Sequence, residues 1–479
     1  MTHKLLKTFS PFATGLMLLG MGLLSWQQVP LPGQDISALP PDPSRPAQWS
    51  RADNRPADDA SPLAGRVTDT RSGRPLKGAT VYHNGVPSKT GSDGAFKLTK
   101  ADPLKPVFIK CPGYRRATLP LPTPNMEVGL KPQEVKGLYL THFGIAYKPL
   151  RDGVLDLIRS TELNAVVIDV KGDRGFLSSN LDVALAREIG SNRLTTVKDI
   201  RSLIEQLHNE DVYVIGRIVA FKDDILAHAR PELAIVDTRT KEPWIDNEHL
   251  AWVDPFRKEV WSYNISIAIE AAKAGFDEIQ LDYVRFPTDG RLSSAKYSQP
   301  NTMEARVKTI DSFLENVQSA LLPYNVYFSA DIFGYTPWNY NDTDIGQKIE
   351  NVADHVDYIC LMVYPSGYHL GIPGYLKPVA HPYEVVYYTL EKARNRLAGK
   401  ENQLRPWLQN FRDYAFDRRH YTGTEIMLQI EACKEASTSG YMLWDPSNKY
   451  KFTADAMSSL RDYMRQPATK PTRVQAGSQ

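Results

Sequence analysis

Short apolar segments alternate with longer segments of helical periodicity between residues 136 and 448. The helical segments repeat apolar residues at spacings of three and four, as in Val197, Ile200, Leu203 and Ile204. The apolar segments predict buried parallel strands, which are Gly137–Thr141, Ala165–Val170, Val212–Val219, Glu278–Asp282, Val326–Asp331, Tyr358–Val363, Pro406–Gln409 and Tyr441–Trp444. This series of β/α units predicts an α/β protein with a (β/α)8 TIM barrel.

A doubly wound open sheet is the alternative arrangement of the same elements. Such a sheet usually has a glycine-rich phosphate-binding turn after its first strand. Residues 141–144, Thr-His-Phe-Gly, do not have that motif. The barrel is therefore the predicted fold, with residues 135–450 as its extent, and residues 451–479 are predicted to form a C-terminal helix and a disordered tail.

The segment before the barrel has a different pattern. Residues 62–131 contain short β segments separated by turn signals, among them Asn84-Gly85 and Asp93-Gly94. This spacing predicts a small N-terminal antiparallel β-sandwich.

The start of the chain has the features of a targeting segment. Lys4 and Lys7 precede an apolar stretch at residues 11–26, which is shorter than the ~20 residues of a comfortable transmembrane helix. Residues 1–26 therefore predict a signal peptide or an N-terminal membrane anchor, with attachment through residues 11–26. The protein is expected to be exported, to the periplasmic or extracellular face of the membrane. Residues 27–61, rich in Pro, Asp, Ser and Arg, predict a disordered linker.

Composition narrows the range of functions. The chain has 479 residues and a net charge of +2, which gives no reason to expect a nucleic-acid partner. Its three cysteines, Cys111, Cys360 and Cys433, are too scattered for a disulfide framework or a metal site. The histidines form neither H-x-H nor H-E-x-x-H. We therefore expect neither a metal nor another cofactor.

Two aspartates end adjacent predicted strands, Asp282 in Gln280-Leu-Asp and Asp331 in Ser329-Ala-Asp. The active site of a TIM barrel lies at the C-terminal ends of its strands. Strand alternation places each aspartate on the same face as the polar residue two positions earlier. Two carboxylates at this position suit cleavage of a glycosidic bond, since one can donate a proton while the other attacks or activates water.

The two carboxylates are expected to divide the work. We expect Asp282 to be the nucleophile or base, because Arg285 and Lys171 could keep it charged. Asp331 is then the acid, with its pKa raised by Phe333 and Tyr335. The competing interpretation is structural, with either aspartate as a helix N-cap or as an ion-pair partner of Arg285.

Further polar and aromatic residues follow the predicted strands. Sugar rings pack their C–H faces on aromatic rings, and polar groups bind their hydroxyls. The predicted substrate-binding residues are Asp169, Lys171, Arg217, Tyr283, Arg285, Tyr335, Trp338, Tyr364, Trp407, Trp444 and Asp445. Alternation places Lys171 on the same strand face as Asp169, while capping of the following loop is an equally good interpretation of Asp445.

Six segments at or near the predicted strands form a recognisable set: Lys136-Gly-Leu-Tyr-Leu, Ala165-Val-Val-Ile-Asp-Val-Lys, Gln280-Leu-Asp-Tyr-Val-Arg-Phe-Pro, Ser329-Ala-Asp-Ile-Phe-Gly, Leu361-Met-Val-Tyr-Pro-Ser and Leu443-Trp-Asp-Pro. With these segments, residues 135–450 resemble the DUF4015 family of glycoside-hydrolase-like TIM barrels. The resemblance implies a carbohydrate-active barrel, and it points to Asp282 and Asp331 as the acids. Residues 62–131, with G-x-V-x-D, P-L-x-G-A-x-V and T-x-S-D-G-x-F, resemble the carboxypeptidase regulatory-like (transthyretin-like) domain, usually a spacer or docking module.

The leading functional hypothesis is an exported glycoside hydrolase that acts on a polysaccharide. The alternative is a catalytically inactive polysaccharide-binding or export-scaffold protein that uses the same groove. The pair of acids at the barrel mouth favours the enzyme, because a protein that only binds sugar needs neither acid.

Overall fold

The computed structural model describes residues 63–98, 102–399 and 404–465, with side chains described as far as residue 459. The predicted leader and the predicted linker lie outside the described residues. Within these ranges, no helix is both long and apolar enough to cross a membrane.

Two small sheets form the N-terminal unit and share one apolar core. Its strands are β1 (Leu63–Asp69), β2 (Thr80–His83), β3 (Val86–Lys89), β4 (Ala95–Leu98), β5 (Val107–Lys110), β6 (Ala117–Leu119) and β7 (Met126–Leu130). The orders are β4-β1-β7 and β3-β2-β5-β6. All neighbours are antiparallel except β1 and β7, which are parallel.

Eight parallel strands close into a barrel in which each strand pairs with its neighbours in chain order. They are β8 (Val135–Leu140), β9 (Ala165–Lys171), β10 (Tyr213–Val219), β12 (Glu278–Asp282), β14 (Tyr327–Phe333), β15 (Tyr358–Met362), β16 (Trp407–Gln409) and β17 (Gly440–Trp444). The short strands β11 (Val236–Asp237) and β13 (Ala295–Lys296) pair with each other outside the barrel. The predicted TIM barrel is confirmed.

Helices follow each barrel strand and cover its outer surface. They are α1 (Lys148–Ser160), α2 (Ala184–Ile189), α3 (Ile200–Asn209), α4 (Asp224–Ala229), α5 (Lys258–Ala274), α6 (Met303–Leu321), α7 (Ile349–His355), α8 (Pro382–Arg396), α9 (Gly423–Glu435) and α10 (Thr453–Arg465). Local sequence fixes several ends: the Asp199 carboxylate accepts a hydrogen bond from the Ser202 N–H at the start of α3, and Gly275 ends α5 with a φ of 112°.

The N-terminal sheets cover the base of the barrel, where the strands begin. Lys110 Nζ donates to Asp357 Oδ2 at 2.6 Å and to the carbonyl oxygen of Val326 at 2.8 Å. The Tyr358 hydroxyl accepts a hydrogen bond from the Gly113 N–H at 2.8 Å. These contacts lie at the N-terminal ends of the strands, opposite the C-terminal ends.

Candidate active site

A cavity of about 260 Å³ lies at the C-terminal ends of the barrel strands. Its lining residues are Arg217, Asp282, Tyr283, Arg285, Asp331, Phe333, Met362, Tyr364, Trp407 and Trp444. Both predicted acids are among them. A second cleft, of about 180 Å³, lies among residues of α8 and the end of α9 and has one carboxylate, Glu391, in its lining. The cleft is remote from the strand ends, so the barrel-mouth cavity is the candidate active site.

Asp282 is bound to a guanidinium group on the neighbouring strand. Arg217 of β10 donates to Asp282 Oδ2 from Nε at 3.0 Å and from Nη2 at 2.6 Å. The third donor, Arg217 Nη1, reaches Asp169 Oδ1 of β9 at 2.6 Å. Arg217 therefore bridges two carboxylates, and its residue is 5% exposed. The prediction that Lys171 keeps Asp282 charged was wrong, because Lys171 pairs with Asp223. Arg285 acts on Asp282 from beyond ion-pair distance, and the direct ion pair is made by Arg217.

The surroundings of Asp331 stabilise a negative charge much less than those of Asp282. It is 1% exposed, and the Trp407 indole N–H donates to its Oδ1 at 2.8 Å. Its second carboxyl oxygen, Oδ2, has no hydrogen-bond donor in the described part of the chain. Burial, followed by the charge of Asp282, raises the pKa of Asp331 well above its ordinary value. The two carboxyl groups therefore differ strongly in their surroundings.

Strand register explains why the two acids meet. Leu281 of β12 pairs with Ala330 of β14, and each aspartate is the next residue along its strand. Both aspartates line the cavity, as the alternation of the strands predicts.

A stacked aromatic group forms the wall behind Arg217. Trp444 lies on Tyr139 with a centroid separation of 3.9 Å and an interplanar angle of 11°. The Arg217 guanidinium lies 5.1 Å from the Trp444 ring centroid. The Tyr139 hydroxyl also donates to Asp169 Oδ2 at 2.7 Å. These contacts fix the guanidinium in place beside Asp282.

Tyr283 adopts a backbone conformation that a bulky residue rarely takes, with a φ of 49°. Its N–H donates to Asp282 Oδ1 at 2.6 Å. A left-handed conformation of this kind costs roughly 1–2 kcal/mol for a residue with a side chain. Strain of this kind is often found at functional sites, and here it directs an N–H at the carboxylate.

Lys171 does not reach the cavity, although strand alternation predicts that it shares the face of Asp169. Arg217 pairs with Asp169, but the next pair is Ile218 with Lys171, so Val170 is extra in β9. This bulge turns Lys171 to the outer side of the barrel. There its Nζ donates to Asp223 Oδ2 at 2.7 Å, and both side chains are 0% exposed.

Four more predicted substrate-binding residues lie outside the cavity lining: Asp169, which is bound by Arg217 and Tyr139, and Tyr335, Trp338 and Asp445. The Tyr335 hydroxyl donates to the carbonyl oxygen of Gly371 at 3.0 Å. The Trp338 indole N–H donates to the Thr389 hydroxyl at 3.0 Å. Both residues pack in a small apolar cluster between loops and α8, so the expectation that Tyr335 raises the pKa of Asp331 was wrong.

Asp445 caps the loop after β17. Its Oδ1 accepts hydrogen bonds from the Ser447 N–H at 2.8 Å and the Ser447 hydroxyl at 2.7 Å, and Oδ2 accepts one from the Tyr450 N–H at 3.2 Å. This geometry matches the capping interpretation of the sequence.

The remaining predicted residues do meet at the mouth. Tyr283, Arg285, Tyr364, Trp407 and Trp444 line the cavity with the two acids. The sequence analysis missed Met362 as a lining residue. Strand alternation could have identified it, because Met362 lies two positions before Tyr364. Among the described residues, no group of three or more His, Cys, Asp or Glu side chains is placed to hold a metal ion.

Comparison with solved structures finds the following similar chains, each with a TM-score below 0.5. A hypothetical protein from Ruminiclostridium thermocellum is 35% identical, over 40% of this chain and 96% of its own, with a TM-score of 0.36. The PgaB (BpsB) glycoside hydrolase domain from Bordetella bronchiseptica is 13% identical, over 70% and 100%, with a TM-score of 0.47. The catalytic domain of β-amylase from Paenibacillus polymyxa is 9% identical, over 70% and 99%, with a TM-score of 0.45.

The family assignment rests on a family model. Comparison with curated proteins finds no match. The model of the DUF4015 family, described as "Putative glycosyl hydrolase domain", matches residues 137–450. This range contains all eight barrel strands, apart from the first two residues of β8, and both acids of the cavity. The chain belongs to the DUF4015 family of glycosyl-hydrolase-like domains.

Proposed function

We propose that the protein is an exported glycoside hydrolase that cleaves a polysaccharide, with Asp331 as the proton donor and Asp282 as the nucleophile. The observation that carries the proposal is the contrast between two neighbouring carboxyl groups. Asp282 is ion-paired with Arg217, whereas Asp331 is buried beside Asp282 with a raised pKa. Glycosidases need one ionised and one protonated carboxyl group at the same time.

The first step breaks the glycosidic bond. Asp331 transfers its proton to the glycosidic oxygen, which leaves with the electron pair of the C–O bond as an alcohol. Asp282 forms a new bond from its carboxylate oxygen to the anomeric carbon. Asp331, now ionised, then removes a proton from water, and the resulting hydroxide displaces Asp282 from the sugar. The second step regenerates both carboxyl groups in their starting forms.

We propose the covalent route over direct attack by water, because the two acids follow paired residues on adjacent strands. The acids follow the paired residues Leu281 and Ala330 on adjacent strands, which are about 4.8 Å apart in a sheet. Retaining enzymes have their carboxyl groups about 5 Å apart, while inverting enzymes need about 6.5–9.5 Å. The sugar would rest against the rings of Phe333, Tyr364 and Trp444, which line the same cavity.

The proposal is tested by assaying release of reducing ends from a panel of soluble polysaccharides. The wild type should cleave at least one member, and the first product should keep the anomeric configuration when followed by NMR. Asp282→Asn and Asp331→Asn should each lower turnover by about 10² to 10⁴ while binding persists. Near-full activity in either variant would exclude that residue's role. A wild type that binds sugar and never cleaves it would instead favour a polysaccharide-binding protein.

Export is supported by the sequence of residues 1–26, which lie outside the described residues. Cell fractionation of the full chain should place the protein outside the cytoplasm, released or retained by residues 11–26. A full-length protein that remains soluble in the cytoplasm would contradict export and, with it, an extracellular polysaccharide as substrate.

A further inference from the structure

Arg285 differs from the other buried cations of the described chain. Lysine and arginine residues are buried at seven positions. Those with a carboxylate within 4.0 Å are Lys110, Lys171, Arg217, Lys222, Arg306 and Arg405. Arg285 is 8% exposed, and it has no carboxylate within that distance among the described residues. A buried charge without a counterion is costly, so its retention needs an explanation.

The surroundings of Arg285 hold the guanidinium without neutralising it. Its carbon Cζ lies 5.0 Å from the ring centroid of Trp252, 4.9 Å from that of Tyr283 and 4.7 Å from that of Phe333. Among the described residues, only Nη1 has hydrogen-bond acceptors, the Phe286 carbonyl oxygen at 3.0 Å and, weakly, the Thr288 hydroxyl at 3.4 Å. Nε and Nη2 therefore remain as donors. The group is fixed in position and is free to bind an acceptor.

Arg285 lines the same cavity as the two acids. The carboxylates that act on it from beyond ion-pair distance are Asp282, Asp289 and Asp246. Asp282 is already bound by Arg217, and Asp246 is bound by Lys222 at 2.8 Å. Burial raises the pKa of Asp289, which weakens it as a counterion. No described carboxylate is therefore placed to neutralise Arg285 from within the protein.

We infer that Arg285 binds the carboxylate of an acidic sugar and that the substrate is a uronic-acid-containing polysaccharide. The planar guanidinium can donate two parallel hydrogen bonds to a carboxylate, and the ring cage presents it beside Asp282. A sugar carboxylate would supply the counterion that the protein lacks. This inference rests on the proposed function for its reaction, but the binding of the acidic sugar can be measured without cleavage.

The test uses matched pairs of glycans that differ only in charge. Polygalacturonate, alginate and hyaluronan are each prepared intact and with their carboxylates reduced to primary alcohols. Calorimetry measures the affinity of the full chain carrying Asp331→Asn, which slows turnover by about 10² to 10⁴. At least one intact glycan should bind about ten- to a hundredfold more tightly than its reduced form. Adding Arg285→Gln should remove most of that ratio, and adding Arg285→Lys should leave part of it.

The Tm of the variants distinguishes a role of Arg285 in sugar recognition from a structural role. Arg285→Gln removes an unpaired buried charge, so the Tm should stay the same or rise. Arg306→Gln is the matched control, because Arg306 is buried but ion-paired with Asp342. It should lower the Tm and leave the ratio of the two affinities unchanged.

Each remaining outcome decides one question. The inference would be overturned if no intact glycan binds more tightly than its reduced form. It would also be overturned if Arg285→Gln leaves the ratio of the two affinities unchanged. If the wild type cleaves reduced glycans as well as intact ones, the glycosidase proposal stands and the acidic-sugar inference fails. If an intact glycan binds through Arg285 and is never cleaved, the inference stands and the glycosidase proposal fails.

Discussion

Two buried carboxyl groups inside the same barrel have opposite surroundings. Glu278 begins β12, Asp331 lies near the end of β14, and these residues are 0% and 1% exposed. Glu278 accepts hydrogen bonds from the Arg405 guanidinium and, at 3.0 Å, from the Tyr213 hydroxyl. Within the described chain the Asp331 carboxyl group accepts a single hydrogen bond, from the Trp407 indole N–H, and it interacts with the charge of Asp282.

The comparison shows that burial alone does not decide whether a carboxyl group is ionised. A carboxyl group in a low-dielectric interior either acquires a cation and hydrogen-bond donors or becomes protonated. Glu278 has the cation, at the closed base of the barrel. Asp331 lacks one, at the mouth of the barrel, and its raised pKa is what the proposed role of proton donor requires.

The largest effect on stability is expected from removing the buried ion pair between Glu278 and Arg405 at the N-terminal end of the barrel. Glu278→Gln leaves the Arg405 guanidinium buried without a counterion, and two of its nitrogens, Nε and Nη1, already lack hydrogen-bond partners. The free energy of unfolding should fall by about 3–5 kcal/mol in urea titrations. Asp331→Asn should not lower it at neutral pH, because the amide replaces a buried acid whose proton is lost more readily in the unfolded chain.

A double variant is the control for this experiment. Glu278→Leu combined with Arg405→Met removes both charges, so most of the lost stability should return. Equal stability losses in Glu278→Gln and Asp331→Asn would contradict the contrast between base and mouth.

The position of the two acids at the mouth of the barrel could be predicted from the sequence. Strand β12 has the bounds that its apolar pattern predicts, and alternation places Asp282 and Asp331 in the cavity. These inferences need only short-range periodicity and the rule that barrel sites lie at the C-terminal strand ends.

The partners of the acids could not be predicted in the same way. Arg217 and Asp282 are 65 residues apart, and the sequence carries no signal that pairs them. The bulge that turns Lys171 outward depends on register with Ile218, which alternation within one strand does not report. Loop folding likewise decided that Tyr335 packs against Gly371 and not in the cavity. The carboxypeptidase regulatory-like identity of the N-terminal sheets stays a prediction.

The second-largest effect is expected in the pH dependence of stability, through the raised pKa of Asp331. The native pKa of Asp331 lies well above its ordinary value of 3.8. The native state therefore keeps its proton when the unfolded chain has lost it, and this contribution to stability is present at low pH and is lost as pH rises. Between the unfolded and native pKa values it declines by about 1.4 kcal/mol per pH unit.

Urea titrations of wild type and Asp331→Asn at stepped pH values measure this contribution. The variant cannot titrate at position 331, so its stability relative to wild type should increase as pH rises from about 4. Turnover of the wild type should also decline above the native pKa, because the proton donor is then lost. A stability difference that stays constant with pH would contradict a protonated Asp331.

The smallest effect is expected where the N-terminal sheets meet the base. Lys110→Met keeps the length of the side chain but removes its ion pair with Asp357, whose side chain is 13% exposed. Asp357 retains the hydrogen bond from the Phe328 N–H at 2.9 Å, so the loss of unfolding free energy should be about 1 kcal/mol. Turnover should not change, since this contact lies at the opposite end of the barrel from the cavity. Lost turnover with normal stability would show that the base and the mouth are coupled, and the separation of the two ends would then be wrong.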